Sequence, residues 1–160
     1  MPDEINYRAM RTGEADAVSK LILASFSEFI GPEYTDQGIA EFRKFVAPAA
    51  LTARSADNHF VRVADAEGTL VGMIEIRENN HVALLFVDKT RQRYGVATGL
   101  LHLALEDARA ASPDTERITV NSSRYGVAAY EKLGFRQTGP ERTVNGIAFI
   151  PMAMRLTNAS

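Results

Sequence analysis

The middle of the chain most restricts its fold, because an apolar strand there runs through a glycine-containing turn into a long helix. Residues 82–87 are the longest uninterrupted apolar stretch, and the turn Gln92 to Ala97 follows closely. Beyond Gly95 the small and apolar residues recur at helical spacing until Pro113. The stripe consists of Ala97, Leu100, Leu101, Ala104, Leu105 and Ala108. This order of elements predicts a mixed α/β fold.

Alternating residues before this helix predict three consecutive strands. Residues 60–64 and 70–77 have strand-like patterns, and turn residues at 65–68 and 78–80 lead from one strand to the next. The third strand is 81–87. Short turns of this kind join antiparallel neighbours, so we predict a three-stranded meander.

The amino-terminal part is predicted to contain one strand and two helices. Residues 5–10 form the strand, and Thr12 is a plausible cap for an amphipathic helix that Gly31 ends. Thr35 is predicted to cap a second helix, which Pro48 interrupts.

The carboxy-terminal part is predicted to contain strands around one short helix. A strand at 118–121 precedes a helix capped by Ser122 or Ser123, and Gly134 suits the left-handed position after the helix end. Strands near 135–138 and 147–156 finish the chain.

Length and composition favour one ordinary globular domain over residues 1–160. The apolar fraction is 46%, the charged fraction is 24%, and no linker-like or repeated segment divides the 160 residues. The chain has no cysteine, so disulfides, cysteine-rich metal sites and a thiolate nucleophile are excluded, and we expect a cytoplasmic location and no metal. A net charge of −2 offers no general attraction to a phosphate backbone, and no apolar stretch has the length of a bilayer crossing. Neither a nucleic acid nor a membrane partner is expected.

The turn before the long helix has the chemistry of an anion site. A helix start presents unpaired N–H groups and the positive end of the dipole, and Gly95 permits a close approach to them. The residues match neither the Walker pattern nor the three-glycine dinucleotide motif. A purely structural turn, with Gly95 chosen for its backbone conformation, is the alternative.

Four segments in order resemble the GNAT family of acyl-CoA-dependent N-acetyltransferases. They are the strand 84–88 (LLFVD), the loop 92–97 (QRYGVA) that fits the family's Q/R-x-x-G-x-G/A motif, Asn121 at the end of the next strand, and 130–135 (YEKLGF). The resemblance covers nearly the whole chain. It implies a mixed central sheet of about six to seven mostly antiparallel strands, with a splayed central parallel pair, flanked by about four helices.

The resemblance also implies acetyl-CoA as the cofactor and assigns residues to it. Main-chain groups of Leu85, Phe86 and Val87 would pair with the pantetheine arm, and Asn121 would contact the same arm from the neighbouring strand. Backbone N–H groups of the loop and first helical turn would hold the pyrophosphate. Those residues are Gln92, Arg93, Tyr94, Gly95, Val96, Ala97 and Thr98.

Amide formation needs a proton to leave the amine and a proton for the departing thiolate. By resemblance Tyr130 is the general acid, and its alternative role is that of a core residue on an apolar helix stripe. His81, predicted to share a face with Leu85, and Glu75, placed among apolar residues whose burial would raise its pKa, are the two candidate bases. Ordered water is the third, as in some family members.

The acceptor would be a small-molecule or peptide amine, bound between the first two helices and the last strands. Phe29, Tyr34 and Arg142 are the candidate contacts, although packing and solvated charge are their simpler roles. A homodimer is compatible with this prediction. The competing functions are a non-catalytic acyl-CoA-binding or sensor module on the same fold and a plain interaction domain.

Overall fold

A computed structural model describes residues 4–57, 59–92 and 95–156 of the chain. In these ranges eight strands form the sheet: β1 Ile5–Ala9, β2 His59–Ala66, β3 Thr69–Arg77, β4 His81–Val87, β5 Arg117–Ser122, β6 Arg136–Gln137, β7 Arg142–Val144 and β8 Ile147–Arg155. The α-helices of the same ranges are α1 Ala15–Ser25, α2 Asp36–Phe45, α3 Pro48–Ser55, α4 Val96–Ala111 and α5 Val127–Leu133. The sheet therefore has one or two strands more than expected, and the helices number five rather than about four.

The sheet is mixed and mostly antiparallel, as predicted. Its order is β1-β2-β3-β4-β5-β8-β6, with β7 paired to β8 off this path. The consecutive antiparallel pairing of β2, β3 and β4 confirms the meander. Strand β4 pairs with β5 in parallel, and helix α4 connects the two.

The parallel pair is splayed, which confirms the expected opening in the sheet. Only His81 with Thr119 and Val82 with Val120 are in register. Beyond these two pairs, β4 continues along β3 and β5 continues along β8. The two strands therefore separate toward their carboxyl ends and leave a slot between them.

A β-bulge at Ala83 changes which way β4 side chains face. Glu75 pairs with Leu84 whereas Ile76 pairs with Val82, so Ala83 is the extra residue. Both Val82 and Leu85 consequently pack in the same core cluster although three positions separate them. Since His81 alternates with Val82, it lies on the opposite face from Leu85. The predicted shared face of His81 and Leu85 is wrong because of this bulge.

Two core clusters cover the two faces of the sheet. One packs α4 against the sheet and includes Ile74 and Leu100, and the other lies under α1 to α3 and includes Ile22 and Met73. Helix α4 approaches β3 closely at Gly72. A Cβ there would lie 3.0 Å from side-chain atoms of Leu100 and Val96, so a larger residue would require these side chains or the helix to shift.

Several local expectations are corrected at the helix ends. Helix α1 has Glu14 rather than Thr12 as its cap residue, and a π-helical segment, Phe26–Ile30, continues it. Thr35 does cap α2, because its Oγ1 accepts a hydrogen bond from the Gly38 N–H at 3.1 Å. Helix α2 already ends at Phe45, and Pro48 begins α3, since proline suits the first helical turn.

Candidate active site

The splay between β4 and β5 opens into a cavity of about 630 Å³ that passes through the sheet. Side chains from both core faces reach it: α1 and α2 contribute on one side, and the start of α4 and helix α5 contribute on the other. Among the predicted site residues its lining includes Phe29, Tyr34, Leu85, Phe86, Val87, Gln92, Gly95, Val96, Ala97, Thr98, Asn121 and Tyr130. Twelve predicted site residues from five separate sequence segments thus meet in one place.

The start of α4 lines one end of this cavity. Gly95 has φ +77°, a conformation that glycine adopts without strain, and a Cβ built there would meet no atom within 4 Å. The first helical hydrogen bond runs from Gly99 N–H to the Gly95 carbonyl at 2.9 Å. The N–H groups of residues 96–98 therefore have no partner within the helix, and the helix dipole adds positive potential at the same point. This arrangement suits a phosphate.

The carboxyl half of β4 forms one wall of the cavity. Leu85, Phe86 and Val87 pair with β3 on one side and line the cavity on the other. The Gln92 side-chain amide donates to the Val87 carbonyl at 3.3 Å, which ties the loop to the strand end. Asn121 is exposed on the facing wall. Arg93 and Tyr94 lie outside the described residues.

Tyr130 lies on α5, where its ring meets Phe135 edge to face with the centroids 5.4 Å apart. Burial raises the pKa of the Tyr130 phenol above its usual value. The hydroxyl is therefore protonated throughout the neutral range. A protonated phenol on the cavity wall can donate a proton or a hydrogen bond to a group bound there.

His81 lies at the closed end of the splay, outside the cavity lining. Its Nδ1 is 2.7 Å from the Thr119 hydroxyl on β5. Burial, and secondarily the charge of Arg77, lower its pKa to about 4, so the imidazole is neutral at neutral pH. The structure does not bring this side chain to Tyr130 and the α4 start.

Glu75 also lies away from the cavity lining, in a buried ionic cluster. The carboxylate is fully buried and accepts hydrogen bonds from Arg54, from Nε at 2.7 Å and from Nη2 at 3.0 Å. The Nδ1 of His59 lies 2.6 Å from the same carboxylate. Glu75 is therefore neither on a solvated strand face nor a free carboxylate in the cleft, because Arg54 and His59 contact its two oxygens.

Only two of the three predicted acceptor contacts lie at the cavity. Phe29 and Tyr34 line the cavity, whereas Arg142 is exposed on β7 and does not. Sequence reasoning missed Tyr125, which follows β5 and stacks on Phe29 with the centroids 4.9 Å apart. Its position just after the strand that carries Asn121 was the available signal.

Two further observations concern metals and membranes. Over residues 4–57, 59–92 and 95–156, no group of three or more His, Cys, Asp or Glu side chains is arranged to hold a metal ion. None of the described helices is both long and apolar enough to cross a bilayer.

The family is decided by a match that spans most of the chain. Residues 30–156 match the model of the acetyltransferase (GNAT) domain. The chain belongs to the GNAT family of acetyltransferases. This match includes the splayed strands, the α4 start and Tyr130, and membership supports acyl transfer as the type of reaction. No curated protein sequence matches the chain closely enough to count as a relative.

Solved GNAT structures share the fold at low sequence identity. A GCN5-related N-acetyltransferase from Rhodopseudomonas palustris is 19% identical with a TM-score of 0.81, over 98% of this chain and 99% of that one. The PaiA N-acetyltransferase from Thermoplasma acidophilum, solved with coenzyme A, is 17% identical with a TM-score of 0.79, over 96% and 99% of the two chains. An aminoglycoside 6'-N-acetyltransferase, also complexed with coenzyme A, is 16% identical with a TM-score of 0.65, over 94% and 96%.

Proposed function

We propose that this GNAT protein transfers an acetyl group from acetyl-CoA to a primary amine, by direct attack while both substrates are bound. The observation that carries the proposal is that one cavity contains the α4 phosphate cradle, the splayed edge of β4 and the Tyr130 phenol. The neighbours solved with coenzyme A support the cofactor class. We also propose that residues 1–160 form one domain, since both core clusters share a single sheet.

The residues present suit an adenylated thioester. A Cβ at Gly95 would meet no protein atom within 4 Å, so the open space beside this backbone leaves room for a phosphate against the N–H groups of residues 96–98. Leu85, Phe86 and Val87 would supply main-chain groups to the pantetheine arm in the manner of an added strand. Asn121 would contact the arm from the opposite wall.

In the chemical step the amine lone pair attacks the thioester carbonyl carbon, the C–N bond forms and the C–S bond breaks. The amine loses one proton, and Tyr130 donates one proton to the departing sulfur and regains one from solvent. The position of the phenol on the cavity wall supports this role, and the hydroxyl is protonated before each turnover. Ordered water is the proton acceptor best supported by the geometry, since His81 and Glu75 lie outside the cavity lining.

A non-catalytic acyl-CoA-binding or sensor module is the second candidate, because fold alone does not decide between binding and turnover. Release of free CoA from acetyl-CoA, measured with a panel of amines, separates the two. An acetyltransferase releases CoA in proportion to the acetylated amine, whereas a sensor binds acetyl-CoA and releases none above background.

The matched pair Tyr130→Phe and Tyr7→Phe tests the general acid. Tyr7 is a second tyrosine that burial leaves with a raised pKa, and it lies outside the cavity. We expect Tyr130→Phe to lower kcat by about 10²-fold or more with little change in CoA affinity, and Tyr7→Phe to leave kcat near that of the parent protein. Equal kcat in the two variants would remove Tyr130 from the mechanism.

A further inference from the structure

The cavity wall on the α1 and α2 side of the sheet is built from aromatic rings. Phe86 of β4 lies 6.0 Å from Phe42, which stacks on Phe26 at 4.0 Å, and Phe26 meets Tyr34 edge to face at 5.2 Å. All four residues line the cavity and pack in the core cluster under α1 to α3. The cradle at α4 packs in the other cluster. The aromatic wall therefore lies across the sheet from the expected phosphate site, where an acceptor would enter.

A second pair of rings borders the same part of the cavity. Phe29, in the π-helical segment after α1, stacks on Tyr125 at 4.9 Å with an angle of 13° between the ring planes. Tyr125 is 45% exposed, so this pair lies at the cavity opening. A flat molecule entering here would meet rings from both sides of the splay, and aromatic pairs favour such contacts over equal apolar area alone.

The charged side chains among the described lining residues are Arg91 and Lys132, both cations on the α4 and α5 side. An alkyl ammonium has a pKa near 10.4 and is costly to bury without a carboxylate partner. The described lining offers an ammonium no carboxylate.

Two of the carboxylates near the opening are paired with basic side chains. Glu28 pairs with Lys89 at 3.4 Å, and Glu141 accepts from Arg124 at 2.7 Å. Glu33 lies outside the lining, where its charge helps raise the pKa of the Tyr34 phenol, although burial is the larger cause. Glu33 is thus the carboxylate with which a bound ammonium could pair, and a Glu33 variant is included in the test below.

From these observations we infer that the acceptor is an aromatic primary amine of the aniline type, whose nitrogen is uncharged at neutral pH. This rests on the proposed function and names its substrate class. The ring matches the aromatic wall. Conjugation with the ring keeps the nitrogen unprotonated in neutral solution, so no ion partner is needed in the cavity and no proton has to be removed before attack. After the C–N bond forms, the single proton that the nitrogen loses goes to water.

Four amines of graded chemistry test the inference in the acetyl-CoA assay at pH 7 and pH 9. Aniline has the ring and a neutral nitrogen, benzylamine has the ring and an ammonium, cyclohexylmethylamine has the ammonium on a non-aromatic ring, and spermidine is a flexible polycation. We expect kcat/KM at pH 7 to be highest for aniline and lowest for spermidine. Benzylamine is expected to gain about tenfold per pH unit below its own pKa, and aniline to change little.

The outcomes separate the two proposals. Spermidine or cyclohexylmethylamine exceeding aniline at pH 7 would overturn the inference while leaving acetyl transfer intact. Benzylamine matching aniline at pH 7 would also overturn it, because an ammonium would then be accepted as readily. Failure of every amine to release CoA from a protein that binds acetyl-CoA would overturn the proposed function as well.

Variants of the wall give an independent readout. Tyr34→Leu removes a ring, and we expect it to raise the KM for aniline about two- to tenfold, the range that one aromatic contact supplies, with CoA affinity unchanged. Tyr34→Phe keeps the ring and is expected to raise KM less. Phe29→Leu serves the same purpose if the Tyr34→Leu protein does not fold. Glu33→Gln is expected to leave the aniline KM unchanged, and a large rise there would show that an ionic contact recognises the acceptor instead.

Discussion

Replacing Gly95 with alanine tests the cofactor site most directly, and the chain provides its own control at Gly68. Both glycines have positive φ, +77° and +96°, and at both a Cβ would meet no protein atom within 4 Å. Gly68 lies in the turn between β2 and β3, outside the cavity lining. The two substitutions therefore impose similar backbone strain, and only one of them places a methyl group in the proposed phosphate cradle.

The left-handed conformation costs an alanine about 1–2 kcal/mol, so each variant should lose about that much free energy of unfolding. For a domain of this size the melting temperature should fall by about 2–4 °C per kcal/mol. Gly95→Ala should in addition weaken CoA at least about tenfold, because the methyl group keeps the phosphate from the N–H groups of residues 96–98 and charge-assisted hydrogen bonds contribute about 1.5–3 kcal/mol each.

Thermal unfolding and calorimetric titration with CoA measure the two effects separately. The reasoning is supported if both variants melt at similar temperatures and only Gly95→Ala loses affinity. A Gly95→Ala protein that binds CoA as tightly as the Gly68→Ala protein would refute the placement of the phosphates at the start of α4.

Three further predictions concern stability. Glu75→Gln leaves Arg54 without its buried counter-charge and should lower the free energy of unfolding in urea by about 3–5 kcal/mol. The matched control Glu141→Gln removes a solvent-facing ion pair with Arg124 and should change this free energy little. Burial lowers the pKa of His81 to about 4, so its neutral form favours the folded state. This contribution to the free energy of unfolding is present above about pH 6.5 and is lost as the pH falls toward 4. His81→Asn should flatten the pH dependence of the unfolding free energy over that window, and an unchanged slope would contradict the assignment. Thr35→Ala should cost about 1 kcal/mol by removing the α2 cap, and unaltered urea stability would argue that another group replaces it.

Much of the fold follows from local sequence chemistry. Strand β4 begins and ends where the alternation predicts, Thr35 caps its helix, and Gly134 has φ +111° as expected after a helix end. Each of these features depends on residues close together in the chain. Side-chain periodicity and backbone preference are therefore enough to predict them.

The start of α3 shows where local reading becomes ambiguous. Proline disfavours a helix interior but is well suited to the first turn, so Pro48 is compatible with either an interruption or a new helix. Packing of Leu51 in the core under α1 decides for the helix. The same limit applies to β7, a three-residue strand whose existence depends on pairing with β8.

The sequence by itself determined the order of elements, the α4 turn and the candidate cofactor residues, because these are encoded in short segments. The tertiary structure alone decided where the two candidate bases, His81 and Glu75, lie. One bulge at Ala83 reverses the face of His81, and the docking of α3 brings Arg54 onto Glu75, 21 residues away along the chain. It also places the buried rings of Phe26 and Phe42 along the cavity wall. Strand register and helix docking depend on contacts between distant segments, which no local pattern contains.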